Sequence, residues 1–154
     1  MGVSEIKIKM VDFGEPAVRA LLADVLDELS ERYGGSGDDT PIGAADFTPP
    51  DGAFFVADDG ERLVGCAGWR RHGEDAELKR MFTAKAARGR GLGRRMLATI
   101  EESAREAGCA RLILETGDKQ PEAIALYQSA GYARIADFGY YAGETGVLSF
   151  AKDL

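Results

Sequence analysis

The 154-residue chain is poor in the residues that build metal centres and disulfide frameworks, with one histidine and two cysteines. A single histidine, His72, excludes a multi-histidine metal site, and no metal is expected. Its setting, Arg70-Arg71-His72-Gly73, reads as a solvated polar turn. Cys66 and Cys109 each sit in an apolar segment and read as two buried reduced thiols rather than a disulfide or a nucleophile. No apolar run is long enough to span a bilayer and no signal-peptide pattern is present, so a cytoplasmic chain with no membrane partner is expected. Positive charge is also scarce: 19 Lys and Arg stand against 26 Asp and Glu, a net charge of −7. That balance opposes a nucleic-acid binder, which needs a basic face. It is compatible with a cationic small partner.

What remains is an ordinary globular composition, 45% apolar and 29% charged. The length suits one domain over residues 1–154, able to bury a core without a staple. Residues 5–11 alternate, with Ile6, Ile8 and Met10 against Lys7 and Lys9, which predicts a strand with one wet face. Pro16 opens a helix over 16–33, with Val18, Leu21, Leu22, Val25, Leu26 and Leu29 at helical spacing. Residues 34–52, rich in Gly, Asp and Pro, read as a long loop with one helical turn near 44–47. Strands follow at 53–57 and 62–69, joined by Asp58-Asp59-Gly60, and at 76–83. A glycine-rich loop, 88–93, leads into a helix from near Arg94 that Gly108 closes. A short strand at 111–116, a helix at 121–130 and strands at 133–140 and 147–152 complete the chain. This order implies a mixed sheet with helices on both faces.

The central motif is Arg88-Gly89-Arg90-Gly91-Leu92-Gly93. Small residues there let successive backbone N–H groups turn toward one anion. The helix that follows adds free N–H groups and the positive end of its dipole, while Arg88, Arg90, Arg94 and Arg95 add charge. Together these suit a pyrophosphate. A nucleotide P-loop requires Gly-Lys-Ser/Thr, whereas Gly93 is followed by Arg94-Arg95. A dinucleotide fingerprint requires G-x-G-x-x-G after the first strand of a βαβ unit, and neither the spacing nor the position fits. The pattern that remains is Arg/Gln-x-x-Gly-x-Gly/Ala, filled by Arg88, Gly91 and Gly93; a flexible basic turn is the bland alternative.

Two segments make the sequence resemble the GNAT superfamily of N-acetyltransferases. One is this loop, preceded by Glu77-Leu78-Lys79-Arg80-Met81-Phe82-Thr83. The other is Ala123-Ile124-Ala125-Leu126-Tyr127-Gln128-Ser129-Ala130-Gly131-Tyr132, which matches A-I-x-L-Y-x-x-x-G-F/Y. The resemblance is strongest from Glu77 to Tyr132. It implies an α/β (α+β) fold: a mixed, mostly antiparallel central sheet of about seven strands with helices on both faces. It implies acetyl-CoA as co-substrate, held in a gap between splayed fourth and fifth strands. Backbone groups of Met81, Phe82 and Thr83 would meet the pantetheine arm. The pyrophosphate would lie on Arg88, Gly89, Arg90, Gly91, Leu92, Gly93 and Arg94. Gln120 stands where many relatives carry asparagine against that arm, one methylene longer.

The resemblance also implies chemistry. Acetyl transfer to an amine needs a base, a donor to the carbonyl oxygen and a proton for the departing thiolate. Glu77, four residues before Met81, holds the place of the base in some members; it reads equally as a strand carboxylate paired with a lysine or arginine. Tyr127 holds the place of the general acid, against a reading as a core tyrosine. A strand bulge near Met81 is expected to supply the oxyanion N–H. Glu28, Glu31, Tyr33, Trp69, Tyr140 and Tyr141 are candidates for a small-molecule primary amine, though each taken singly also reads as an ordinary surface or core residue. Three further readings stay open: a succinyl or propionyl donor, a non-catalytic coenzyme A sensor, and a protein lysine or N-terminal acetyltransferase. A homodimer is common in this fold, and no sequence feature fixes it.

Overall fold

A computed structural model of the chain describes residues 5–33, 41–89 and 91–154. Arg90 lies outside the described residues, as do the side chains of Glu28, Leu29 and Tyr33. The elements in order are β1 (Lys7–Val11), α1 (Pro16–Tyr33), a 3₁₀ turn (Ala44–Phe47), β2 (Gly52–Asp58), β3 (Leu63–His72) and β4 (Asp75–Thr83). A second 3₁₀ turn (Lys85–Ala87) precedes α2 (Leu92–Glu106), β5 (Arg111–Gly117), α3 (Pro121–Ser129), β6 (Ala133–Ile135) and β7 (Val147–Asp153). The seven strands form one sheet in the order β1-β2-β3-β4-β5-β7-β6. Every neighbouring pair is antiparallel except β4 with β5. The expected sheet and element order are thus present. Among the described residues no helix is long and apolar enough to cross a membrane.

Alternation assigns the two faces of the sheet. Ala67, Trp69, Ala76, Leu78, Leu112 and Leu114 share a buried cluster with Met96, Leu97 and Ile100 of α2 and with Tyr127 of α3. The alternate residues Phe54, Val56 and Cys66 share a second cluster with Val18, Leu21, Leu22 and Val25 of α1 and with Phe47. The helical spacing of the α1 residues is what lets one stripe cover the sheet. Both cysteines are buried and free.

Three expectations change. The strand expected over 133–140 ends at Ile135. Asp137 pulls the chain off the ladder: it accepts hydrogen bonds from Ser149 Oγ at 3.1 Å and from the Gly143 N–H at 3.2 Å. Residues 136–146 therefore fold over the sheet instead of extending it. α2 begins at Leu92, two residues earlier than expected, behind Gly91 at φ 81°. Trp69, a candidate for acceptor binding, belongs to the core: it is 2% exposed, faces α2 and donates from Nε1 to Ser103 Oγ at 2.9 Å.

Candidate active site

The site originates in the one parallel pair. β4 and β5 share a ladder only at Ala76↔Leu112 and Glu77↔Ile113. Beyond those residues β4 runs on to Thr83 and β5 to Gly117 without pairing. The gap is a cleft of about 370 Å³. Met81, Phe82 and Thr83 line its β4 wall, and Gln120 and Tyr127 line it from α3. At its mouth lie Arg88, Gly89, Gly91, Leu92 and Gly93. Among the described residues, those chosen on sequence for a cofactor are therefore brought together here, except Arg94. The Arg94 guanidinium turns to Ser129 Oγ instead.

The mouth can hold an anion by its backbone. Gly89 and Gly91 have φ of 77° and 81°, and nothing lies within 4 Å of where either Cβ would sit. Their glycines are needed for conformation rather than for space. The α2 N-terminus makes no side-chain cap hydrogen bond and has no acidic residue in its first turn. Its leading N–H groups and dipole therefore suit a phosphate. Arg88 is positioned beside them, its Nε donating to the Thr83 carbonyl at 2.9 Å and its guanidinium over the Phe82 ring at 5.6 Å. Arg95 turns away and donates to the Ile6 carbonyl at 3.0 Å.

Deeper in the cleft the β4 ladder is broken. Cys66 pairs with Phe82 and Gly68 with Lys79, so Ala67 faces both Arg80 and Met81. This two-against-one count is a β-bulge. Arg80 carries it at φ 56°, a left-handed conformation that non-glycine residues rarely adopt. The bulge expected near Met81 is present.

Tyr127 is 7% exposed, and burial raises its phenol well above the ordinary value, so it keeps its proton at neutral pH. Its ring meets Tyr132 edge-on at 5.8 Å. Tyr132 is fixed in turn by a 2.6 Å hydrogen bond from its hydroxyl to Glu101, which also pairs with Lys152 at 3.3 Å.

Of its two sequence readings, Glu77 takes the geometry of the strand carboxylate paired with an arginine. It is 1% exposed, accepts from Arg70 Nε at 2.9 Å and does not line the cleft. Two carboxylates do line it, Glu122 in the first turn of α3 and Glu115 of β5, and the sequence reading singled out neither; Glu115 is the one on β5. Its Oε2 accepts from the Tyr141 N–H at 3.1 Å, while Oε1 is buried with no hydrogen-bond partner among the described residues. Desolvation pushes its pKa up, opposed by Lys79 and by the Tyr141 N–H and reinforced by Glu77 and Asp137. Gly139 lies directly on the carboxyl: a Cβ there would sit 2.4 Å from Oε1. Lys79 also lines the cleft, with its Nζ 5.9 Å from the Tyr141 ring centre. Tyr140 is 54% exposed and meets Tyr141 edge-on at 5.0 Å. One signal for Glu115 existed: the one carboxylate of β5, following the apolar run Leu112-Ile113-Leu114 and in register with the face that carries Glu77.

Tyr127 belongs to the cluster on the α2 face, whereas Glu115 lies on the opposite face of β5. The cleft between them passes through the sheet, so two reactants can reach one point from opposite sides.

A model of the Acetyltransferase (GNAT) family matches residues 18–132. The IAA acetyltransferase of Azospirillum brasilense is 43% identical over 94 residues, which are 60% of this chain and 61% of that protein. The match thus spans less than two thirds of that relative's length. The crystal structure of a Klebsiella pneumoniae protein named for acyl-CoA N-acyltransferase activity superposes with a TM-score of 0.80 at 29% identity, over 97% of both chains. A GNAT family acetyltransferase from Elizabethkingia anophelis, solved with acetyl-CoA bound, has a TM-score of 0.69 at 18% identity over 97% of this chain and 99% of that one, a likeness of fold. The family match covers well over half of the sequence, and the chain belongs to the GNAT acetyltransferase family.

Proposed function

We propose that the chain transfers an acetyl group from acetyl-CoA to a primary amine of a small molecule. The observation that carries this reading is the through-sheet cleft, which joins an anion-binding helix start to a protonated phenol on one face and a strained carboxylate on the other. Acetyl-CoA, when bound, supplies the thioester whose acyl carbon is attacked. The α2 N-terminus and the Gly89 and Gly91 amides hold the diphosphate. The Met81 N–H, at the bulge, donates to the oxygen that becomes an oxyanion. Glu115 takes the proton of the attacking amine, directly or through one water, because desolvation makes it a stronger proton acceptor than an ordinary carboxylate. Glu77 is not given that role, since Arg70 neutralises it outside the cleft. The Tyr127 hydroxyl gives its proton to the leaving thiolate. A small acceptor suits the covered end of the site, where residues 139–141 lie across Glu115 and Lys79. The name of the Azospirillum relative is in keeping with a small-molecule acceptor.

The test is a panel of primary amines with acetyl-CoA, read as free thiol released and as product mass, beside a thermal shift with free CoA. Acetylation of a small amine and a clear upward shift are expected. No shift at millimolar CoA refutes the reading.

A further inference from the structure

We propose that Cys66 is a positioning residue for acyl transfer: its buried thiol clamps the β4 bulge that presents the Met81 N–H. Three observations meet at this point. The bulge takes Arg80 and Met81 out of register against Ala67. Arg80 holds φ 56°, the only left-handed non-glycine residue among those described. The carbonyl of Arg80 accepts a hydrogen bond from Cys66 Sγ at 3.1 Å.

The left-handed conformation is unfavourable for an L-residue, so the bulge persists only where surrounding contacts hold it. A carbonyl shielded from water at such a bulge is held in direction by the donor it meets. Cys66 supplies both contact and donor. It is 0% exposed, and it lies among Phe54, Val56 and the apolar stripe of α1, where no water can substitute for it. Burial pushes its thiol up to about 12, so the proton stays on sulfur and Cys66 remains a donor. A thiol suits this place because it is small and apolar enough for the α1 cluster, yet still offers one hydrogen. The Cys66 side chain touches neither reactant; it acts through the direction of the next peptide. Rotating that peptide misaims the Met81 N–H at an oxygen whose charge grows only during reaction. The effect therefore falls on turnover more than on cofactor affinity.

This inference rests on the reading of Met81 as the oxyanion donor, and its test has an arm that needs no activity. Cys66→Ala removes the donor; Cys66→Ser keeps a donor but buries a more polar group among apolar neighbours. A packing role alone predicts that Ser is the worse of the two, in stability and in rate alike. The clamp predicts a crossed order: Cys66→Ala loses about tenfold in kcat, with free-CoA affinity changed much less, while Cys66→Ser recovers most of the rate at a Tm equal to or below that of Cys66→Ala. Equal rates for the two variants, or rates that follow Tm, overturn it. The second arm is the infrared S–H stretch of Cys109→Ser protein, in which Cys66 is the remaining thiol. A band shifted to lower frequency than that of a thiol in hydrocarbon solvent supports the clamp, even if neither Cys66 variant folds. A band at the hydrocarbon position refutes it, whether or not the protein acetylates anything.

Discussion

The two faces of β4 and β5 come from the same residues in alternation, yet they do different work. Toward α2 the strands present Ala76, Leu78, Leu112 and Leu114, all buried in one apolar cluster with Trp69. Toward α1 the same strands present Glu77, Lys79 and Glu115, charges held under cover by Arg70 and by the 136–146 segment. One face gains stability from burial. The other accepts desolvated charge, which costs stability and is tolerated where chemistry uses it. The bulge at Arg80 and Met81 lies where the two regimes meet: it shifts the alternation by one residue, so that Met81 packs against the α2 cluster and Phe82 against the α1 cluster.

Four substitutions sharpen this contrast. The largest effect is expected for Tyr127→Phe, which keeps the buried ring and removes the proton donor: kcat falls about 100-fold or more, with CoA affinity nearly unchanged by calorimetry. A rate equal to that of the unaltered enzyme makes Tyr127 a core residue only. Glu115→Gln should lower kcat nearly as far and remove the acid limb of the kcat/KM profile, while raising Tm at neutral pH. The sign follows from linkage. Glu115 has a raised pKa in the folded state, so the folded chain holds more protons than the unfolded one between the ordinary carboxylate value and the raised one. Stability therefore falls as pH climbs through that window, and the amide abolishes the fall. A lower Tm for Glu115→Gln contradicts the assignment of strain to this carboxylate.

The remaining two are structural. Glu77→Gln weakens the pair with Arg70 and should cost about 2 kcal/mol in denaturant unfolding, with kcat changed by only a small factor; a loss as large as that of Glu115→Gln returns the base to Glu77. Trp69→Phe should cost about 1 kcal/mol through the lost bond to Ser103, with kinetics untouched for every acceptor tried.

Much of the frame was legible because it depends on local pattern. The spacing of Val18, Leu21, Leu22 and Val25 marked α1, and Gly89, Gly91 and Gly93 marked a backbone that must turn sharply before a helix. What escaped depends on which strands lie side by side. Trp69 stayed open between acceptor side and core because the face it occupies is set by the antiparallel register with Leu78, not by its aromatic character. Glu115 was missed because its worth comes from the interrupted pairing of β5 with β4 and from a loop that returns from residue 139. The strand expected through residue 140 failed because two hydrogen bonds to Asp137 outweighed a continued alternation.

One feature of the sheet has a consequence for biosynthesis. β7 is the last of the seven strands in the chain, yet it lies between β5 and β6. β6 has no other neighbour, and Ser149 of β7 anchors the Asp137 turn that leads over Glu115. While the ribosome is still making the polypeptide, the meander and α2 can assemble, but β6 has nothing to pair with and the acceptor side has no cover. The cover over Glu115 should therefore form only after β7 emerges from the exit tunnel.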